Sequence, residues 1–117
     1  MDSLQVTDAA AAAVAVAPRV QLADIEDAIA EKYFATGDVV MQGVAIPENH
    51  PLTILTLCVV VMKNGFTVIG KSAPASLFNF NPELGRKFAY EDAIRQLWPL
   101  MGFALRDRLS ETAKFAA

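Results

Sequence analysis

Apolar residues fall four apart at Ile25, Ile29 and Tyr33, with Ala28 between them, and acidic Asp24, Glu26 and Asp27 stand where a helix dipole is positive. This spacing predicts an amphipathic first helix over residues 22–34, ended at Gly37. Residues 38–51 then connect, with a short strand expected from Val39-Val40-Met41 and Val44-Ala45-Ile46 between the helix and the prolines Pro47 and Pro51. From Leu52 to Met62 the pattern changes to a run rich in β-branched residues (Ile54, Val59, Val60, Val61) and of strand length. Lys63-Asn64-Gly65 interrupts it and Phe66-Thr67-Val68-Ile69-Gly70 resumes it. Asn-Gly between two apolar runs suits the positive φ of a tight primed turn, so an antiparallel hairpin is placed at 53–71. The near-continuous hydrophobicity of its first strand implies cover on both faces, by helices on one side and by another subunit on the other.

Residues 71–81 (KSAPASLFNFN) lack periodicity and read as a loop. Asn81-Pro82 is an N-cap followed by proline at the first helical position. Leu84, Phe88, Ile94, Leu97, Trp98, Met101, Leu105 and Leu109 then keep close to a 3.6-residue period, so a long helical stretch covers about 82–110. Pro99 removes a donor and Gly102 lowers helix propensity, which predicts a kink or two helices meeting at 98–102. Residues 1–19, alanine-rich and closed by Pro18, read as a flexible arm or frayed helix outside the core; 20–112 form one domain and 113–117 a frayed tail.

The length of 117 residues allows one domain and excludes a separate cofactor lobe. Apolar residues make up 54% and charged residues 20%, which fits a globular chain, although the alanines inflate the first figure. The net charge of −3 argues against a duplex DNA or RNA binder, whose affinity comes from many cationic contacts to phosphate. That average hides an asymmetry, −6 over residues 1–59 and +3 over 60–117, so the second half has charge enough to hold a small anion. Neither apolar run reaches the roughly 20 residues of a membrane span. Cys58 is alone, which excludes an internal disulfide and a cysteine zinc site and fits a reducing cytoplasm. His50, the only histidine, lies between Asn49 and Pro51 in a loop and reads as solvent-exposed.

No catalytic set emerges, and neither a cofactor nor a metal is expected. Glu91 and Asp92 are adjacent, so on a helix they diverge by about a hundred degrees and cannot flank one substrate atom. The loop 72–80 is richer: hydroxyls at Ser72 and Ser76, amides at Asn79 and Asn81, and the aromatics Phe78 and Phe80, just ahead of a helix amino terminus. Such a terminus favours anions and an aromatic face stacks a base. Alternatively, Phe78 and Phe80 simply plug the core. Arg86 and Lys87 in the first turns, and Arg106 and Arg108 near the helix end, offer forks for phosphate or an ordinary amphipathic helix end. Trp98 reads as a core anchor and Cys58 as a small buried hydrophobe.

The stretch MKNGFTVIGKSAPASLFNFNPELGRKFAYEDAIRQLWPLMGFALRDRL, residues 62–109, resembles a family of small tailed-phage proteins. The resemblance rests on the ordered spacing of Gly65, Gly70, Asn79-Phe80, Gly85, Trp98 and Gly102, and extends more loosely to residues 53–61 and the first helix. The family is associated with Thoeris anti-defence sponges, which hold the cyclic ADP-ribose isomer made by a host TIR-domain enzyme without cleaving it, some also capturing cyclic oligonucleotides. The resemblance implies Phe80 as the adenine-stacking residue, Asp92 as a polar contact and Arg106 or Arg108 as the phosphate-binding arginine. Asn79, Arg86, Ser72 and Ser76 complete the expected ligand set.

The expectation is therefore an α+β fold: a small antiparallel sheet packed with an N-terminal helix and a long kinked C-terminal helix pair, in a homodimer or larger symmetric oligomer. Its expected function is to bind and sequester a cyclic nucleotide signal without turnover. The alternative is a phage protein that blocks a host protein by direct contact, through its acidic face at 22–31.

Overall fold

The computed structural model describes residues 3–116, with side chains through 113. In chain order its elements are α1 (Ser3–Val14), α2 (Leu22–Asp27), β1 (Ile29–Thr36), α3 (Gly37–Val40), β2 (Thr56–Met62), β3 (Thr67–Ser72) and α4 (Pro82–Ala116). Short 3-10 turns at Pro51–Ile54 and Leu77–Asn79 lead into β2 and α4. The three strands form one antiparallel sheet in the order β1-β2-β3, so the α+β architecture holds.

The expected helix 22–34 is corrected: it is two elements. α2 stops at Asp27 after Asp24 reaches back to accept from the Gln21 N–H at 2.8 Å, and residues 29–36 become the edge strand β1. A spacing of four satisfies a two-residue period as well as a 3.6-residue one, so Ile29 and Tyr33 could not separate strand from helix. Ladder pairing with β2, from Ile29 opposite Met62 to Thr36 opposite Thr56, decides it, with a bulge between Ile29 and Glu31. The strand expected within 38–51 is likewise absent. Residues 37–40 make the single turn α3, and Gly43 and Asn49 take positive φ in the loop that follows.

The β2-β3 hairpin sits where the pattern puts it, with a different turn. Gly65 N–H donates to the Met62 carbonyl and Met62 N–H to the Phe66 carbonyl, both at 2.8 Å, which makes a three-residue loop. Only Gly65 takes positive φ (90°), while Asn64 Oδ1 accepts from Phe66 N–H. This is the turn plus left-handed glycine of a bulged hairpin, where a two-residue primed turn would need positive φ at both residues.

β2 alternates strictly. Thr56, Cys58, Val60 and Met62 are buried toward α4, and Leu57, Val59 and Val61 are half-buried on the opposite face. The chain itself thus covers only one face of the sheet; on the other, Tyr33 and Ile69 stay 57% exposed. α4 lays Ala89, Ala93, Ile94 and Leu97 on that covered face, with Ile25 of α2 completing the core. Small residues allow the approach: a Cβ on Gly70 would lie 2.6 Å from Ala93 N and nearer still to the Ala89 carbonyl oxygen.

α4 runs through Pro99 as one helix, not two, and on to Ala116, past the tail expected to fray from residue 113. Pro99 and Arg95, whose carbonyl loses its donor, are both exposed residues, so the helix continues on its solvent side without one backbone bond. Trp98 packs half-buried against the core and Cys58 is fully buried.

The first nineteen residues are not wholly outside the core. Leu4 of α1 is buried in it. Asp8 accepts from the Leu22 N–H at 3.1 Å and pairs with Arg19 at 3.0 Å, and Arg95 donates to Ser3. Residues 1, 2 and 117 lie outside the described chain. With a radius of gyration of 17.9 Å and a long axis of 63 Å, the molecule is extended; about 13 Å is usual for a compact chain of this length. No helix among the described residues is long and apolar enough to cross a membrane.

Candidate ligand site at the start of the long helix

Three strand ends and the first turn of α4 meet at one edge of the core. The strand register sets Thr36, Thr56 and Ser72 side by side across the sheet, on the face that α4 covers. Above them the chain turns through Leu77–Asn79 into α4. Ser76 Oγ accepts from Phe78 N–H at 3.2 Å to cap that turn. Asn81 Oδ1 accepts from the N–H groups of Glu83 and Leu84, at 3.0 and 3.2 Å, so the expected N-cap ahead of Pro82 is formed.

Phe80, half-buried, leaves this turn and forms a wall of two hollows. The one on the β3 side, about 210 Å³, is lined by Ser72, Asn79, Asn81, Leu84 and Phe88 among others. The one on the β1 side, about 150 Å³, is lined by Phe34, Thr36, Thr56, Pro82 and Arg86. Gly85 keeps the junction tight: a Cβ there would stand 2.6 Å from Thr56 Oγ1 and 3.6 Å from the Phe80 ring.

The expected site residues therefore separate into groups. Phe80, Asn79, Ser72 and Arg86 gather around the two hollows. Ser76 lines neither hollow, and its hydroxyl oxygen accepts within the turn. Asp92 lines neither hollow; it accepts from the Lys71 N–H at 2.9 Å and from Gln96, which also donates to the Ile69 carbonyl at 2.7 Å. Together Asp92 and Gln96 satisfy outward backbone groups of the edge strand β3, a guard against pairing with a foreign strand. Arg106 and Arg108 lie exposed on the far part of α4. Twenty helical residues separate Arg86 from Arg106, which is about 30 Å of rise, so neither arginine reaches Phe80 of its own chain. Phe78, read as a possible core plug, is 95% exposed.

Two lining groups carried no sequence signal. Phe34 falls in the segment expected to be helical and Thr56 inside the apolar run 52–62; only the register places them beside Phe80. His50 is half-buried and has a structural duty, its Nδ1 accepting from Leu52 N–H at 3.1 Å. Burial pushes the Cys58 thiol pKa up, against the pull of nearby Lys32.

A thiol kept neutral is a poor nucleophile. The side chains around Phe80 are hydroxyls, amides, aromatics and one guanidinium on a lining otherwise aliphatic (Leu84, Pro74, Pro82 and alanines), a set suited to holding an anionic, ring-bearing molecule. Among the described residues no cluster of three or more metal-ligating side chains occurs.

No curated protein and no solved structure matches the chain. A family model does, over residues 20–109, which is the body of the fold from the end of the alanine-rich segment through most of α4. The chain belongs to the phage protein (N4 Gp49/phage Sf6 gene 66) family.

Proposed function

We propose that this phage protein binds and sequesters a cyclic nucleotide immune signal, a cyclic ADP-ribose isomer and in some settings a cyclic oligonucleotide, without cleaving it, in the infected host's cytoplasm. The observation that carries the reading is the half-buried Phe80 ring set among Asn79, Ser72 and Asn81 at the mouth of α4. An aromatic face stacks a base, and neutral hydroxyls and amides hydrogen-bond sugar and phosphate without attacking them. None of the lining side chains is a carboxylate, thiol or imidazole, so the reading is one of holding.

A sponge must hold its signal at close to nanomolar affinity, about −12 kcal/mol. The hollow on the Asn79 side, about 210 Å³, falls short of the roughly 300–1,000 Å³ that encloses a molecule of this size. A second copy supplies what is missing. In a symmetric oligomer the projecting half of α4 from the partner brings its cationic end over the Phe80 hollow, which gives Arg106 and Arg108 the phosphate role they cannot have in their own chain. The open apolar face of the sheet is then available as interface.

The test is uptake. Purified protein is incubated with the cyclic ADP-ribose isomer, freed of excess, heated, and the released nucleotide analysed. Intact recovery in stoichiometric amount is expected, and Phe80→Ala and Arg108→Ala each reduce it strongly. A changed product would make the protein an enzyme. Absence of uptake would refute sequestration and turn attention to a host-protein target.

A further inference from the structure

The β1-side hollow holds a feature that the proposed function does not use. Thr56 is 3% exposed and its Oγ1 has no hydrogen-bond partner among the described residues. Buried hydroxyls are nearly always paired, and valine would fill the same space without that penalty. Thr56 lines the hollow bounded by Phe34, Phe80 and Arg86, with Thr36 in register beside it, while its Oγ1 lies buried under Gly85 of α4, one side-chain rotation from the hollow. Arg86 is exposed and forms no ion pair among the described residues. Among the described residues its guanidinium is the only charged group in the wall, so the hollow selects an anion over a cation.

Size selects further. An open hollow of about 150 Å³ matches the volume of one benzene-sized ring, the part of a ligand that its floor can seat. We propose that this hollow is a binding site, separate from the signal site on the Asn79 side of Phe80, for a small anion built on a single planar ring: a monocyclic aryl or heteroaryl phosphate or carboxylate. The ring packs against Phe34 and Phe80, the Arg86 guanidinium takes the anionic oxygens, and the Thr56 hydroxyl donates to the ligand the hydrogen bond that the fold leaves unmade.

Phenyl phosphate is the probe, titrated into the full chain and followed by calorimetry and amide NMR. Saturable binding is expected, with the largest amide shifts at Thr36, Thr56 and Arg86. Inorganic phosphate, lacking the ring, and benzyl alcohol, lacking the charge, are each expected to bind at least about tenfold more weakly, as are Arg86→Gln and Thr56→Val with phenyl phosphate. Thr56→Val is also expected to raise the urea midpoint of unfolding, because it removes an unpaired buried hydroxyl. Weaker binding by a more stable protein cannot be blamed on misfolding.

Phenyl phosphate binding no tighter than inorganic phosphate, or unchanged affinity in Thr56→Val, overturns the proposal. So does a lowered urea midpoint in Thr56→Val, since the hydroxyl would then have a partner in the fold. Uptake of the cyclic nucleotide without phenyl phosphate binding would remove this site and leave the sequestration reading intact; the opposite pair of results would do the reverse.

Discussion

Gly70→Ala tests the close approach of β3 to α4. The glycine lies on β3 beneath α4, and a methyl group there would sit 2.6 Å from Ala93 N, 2.9 Å from Ala93 Cβ and nearer still to the Ala89 carbonyl oxygen. Ordinary carbon contacts fall at about 3.5–4.0 Å, so α4 must lift from the sheet by roughly an ångström. The obstacles are helix backbone, which has no rotamer to change. Overpacking costs about 1–3 kcal/mol in general, and this site belongs at or above the upper end. Against a total stability of about 5–15 kcal/mol, 3 kcal/mol lowers the folding equilibrium more than a hundredfold and the thermal midpoint by about 10–20 °C. Gly102→Ala is the internal control. It lies in the same helix, a Cβ there meets nothing within 4 Å, and alanine is favoured over glycine in a helix interior by about 0.5–1 kcal/mol. The two substitutions, chemically identical, are therefore expected to move the urea and thermal midpoints in opposite directions. A Gly70→Ala protein as stable as the parent would refute the packing of α4 on β3 described above.

Other outcomes follow from individual contacts. Replacing both Asp92 and Gln96 with alanine strips the β3 edge of its side-chain partners, and is expected to cost about 1–2 kcal/mol and to add species larger than the parent's in sedimentation; an unchanged sedimentation profile and midpoint would mean the edge needs no guard. The Tyr90 phenol is pushed up to about 12, first by burial and then by the Glu26 carboxylate. A pKa raised by folding supplies stability that is complete below the ordinary value near 10 and lost as pH rises through 12, so alkaline unfolding in that window should flatten in Tyr90→Phe. The Asp8 carboxyl is held below its ordinary value chiefly by the Leu22 N–H, against desolvation and with help from Arg19. Its contribution is present above the ordinary value of 3.8 and disappears as pH falls through the lower, folded one, so Asp8→Asn should lose stability at neutral pH yet converge with the parent in strong acid. Parallel acid curves would exclude that linkage.

Local chemistry was legible in the sequence wherever one residue's own backbone needs decide the outcome. Asn81-Pro82 opens α4 because a side-chain oxygen caps the first turn and proline lacks the N–H that a helix start leaves unpaired. Gly65 closes the hairpin because φ of 90° is open to glycine, and the β-branched run before it favours a strand. Phe80, Asn79, Ser72 and Arg86 were recognisable as candidates because they crowd the approach to a helix amino terminus. Where spacing alone had to decide, at residues 29–34, two periods fitted equally and the pairing partner broke the tie.

What only the tertiary structure decided is which of these residues share a space. The register of three strands aligns Thr36, Thr56 and Ser72, and brings Phe34 from 46 positions away to the same wall as Phe80. The length of α4 carries Arg106 and Arg108 away from that wall, and the unpaired outward groups of β3 draw Asp92 into the fold. Composition and periodicity describe each segment against solvent, whereas strand register, helix length and the demand that every backbone donor find an acceptor act between segments, and those set the site.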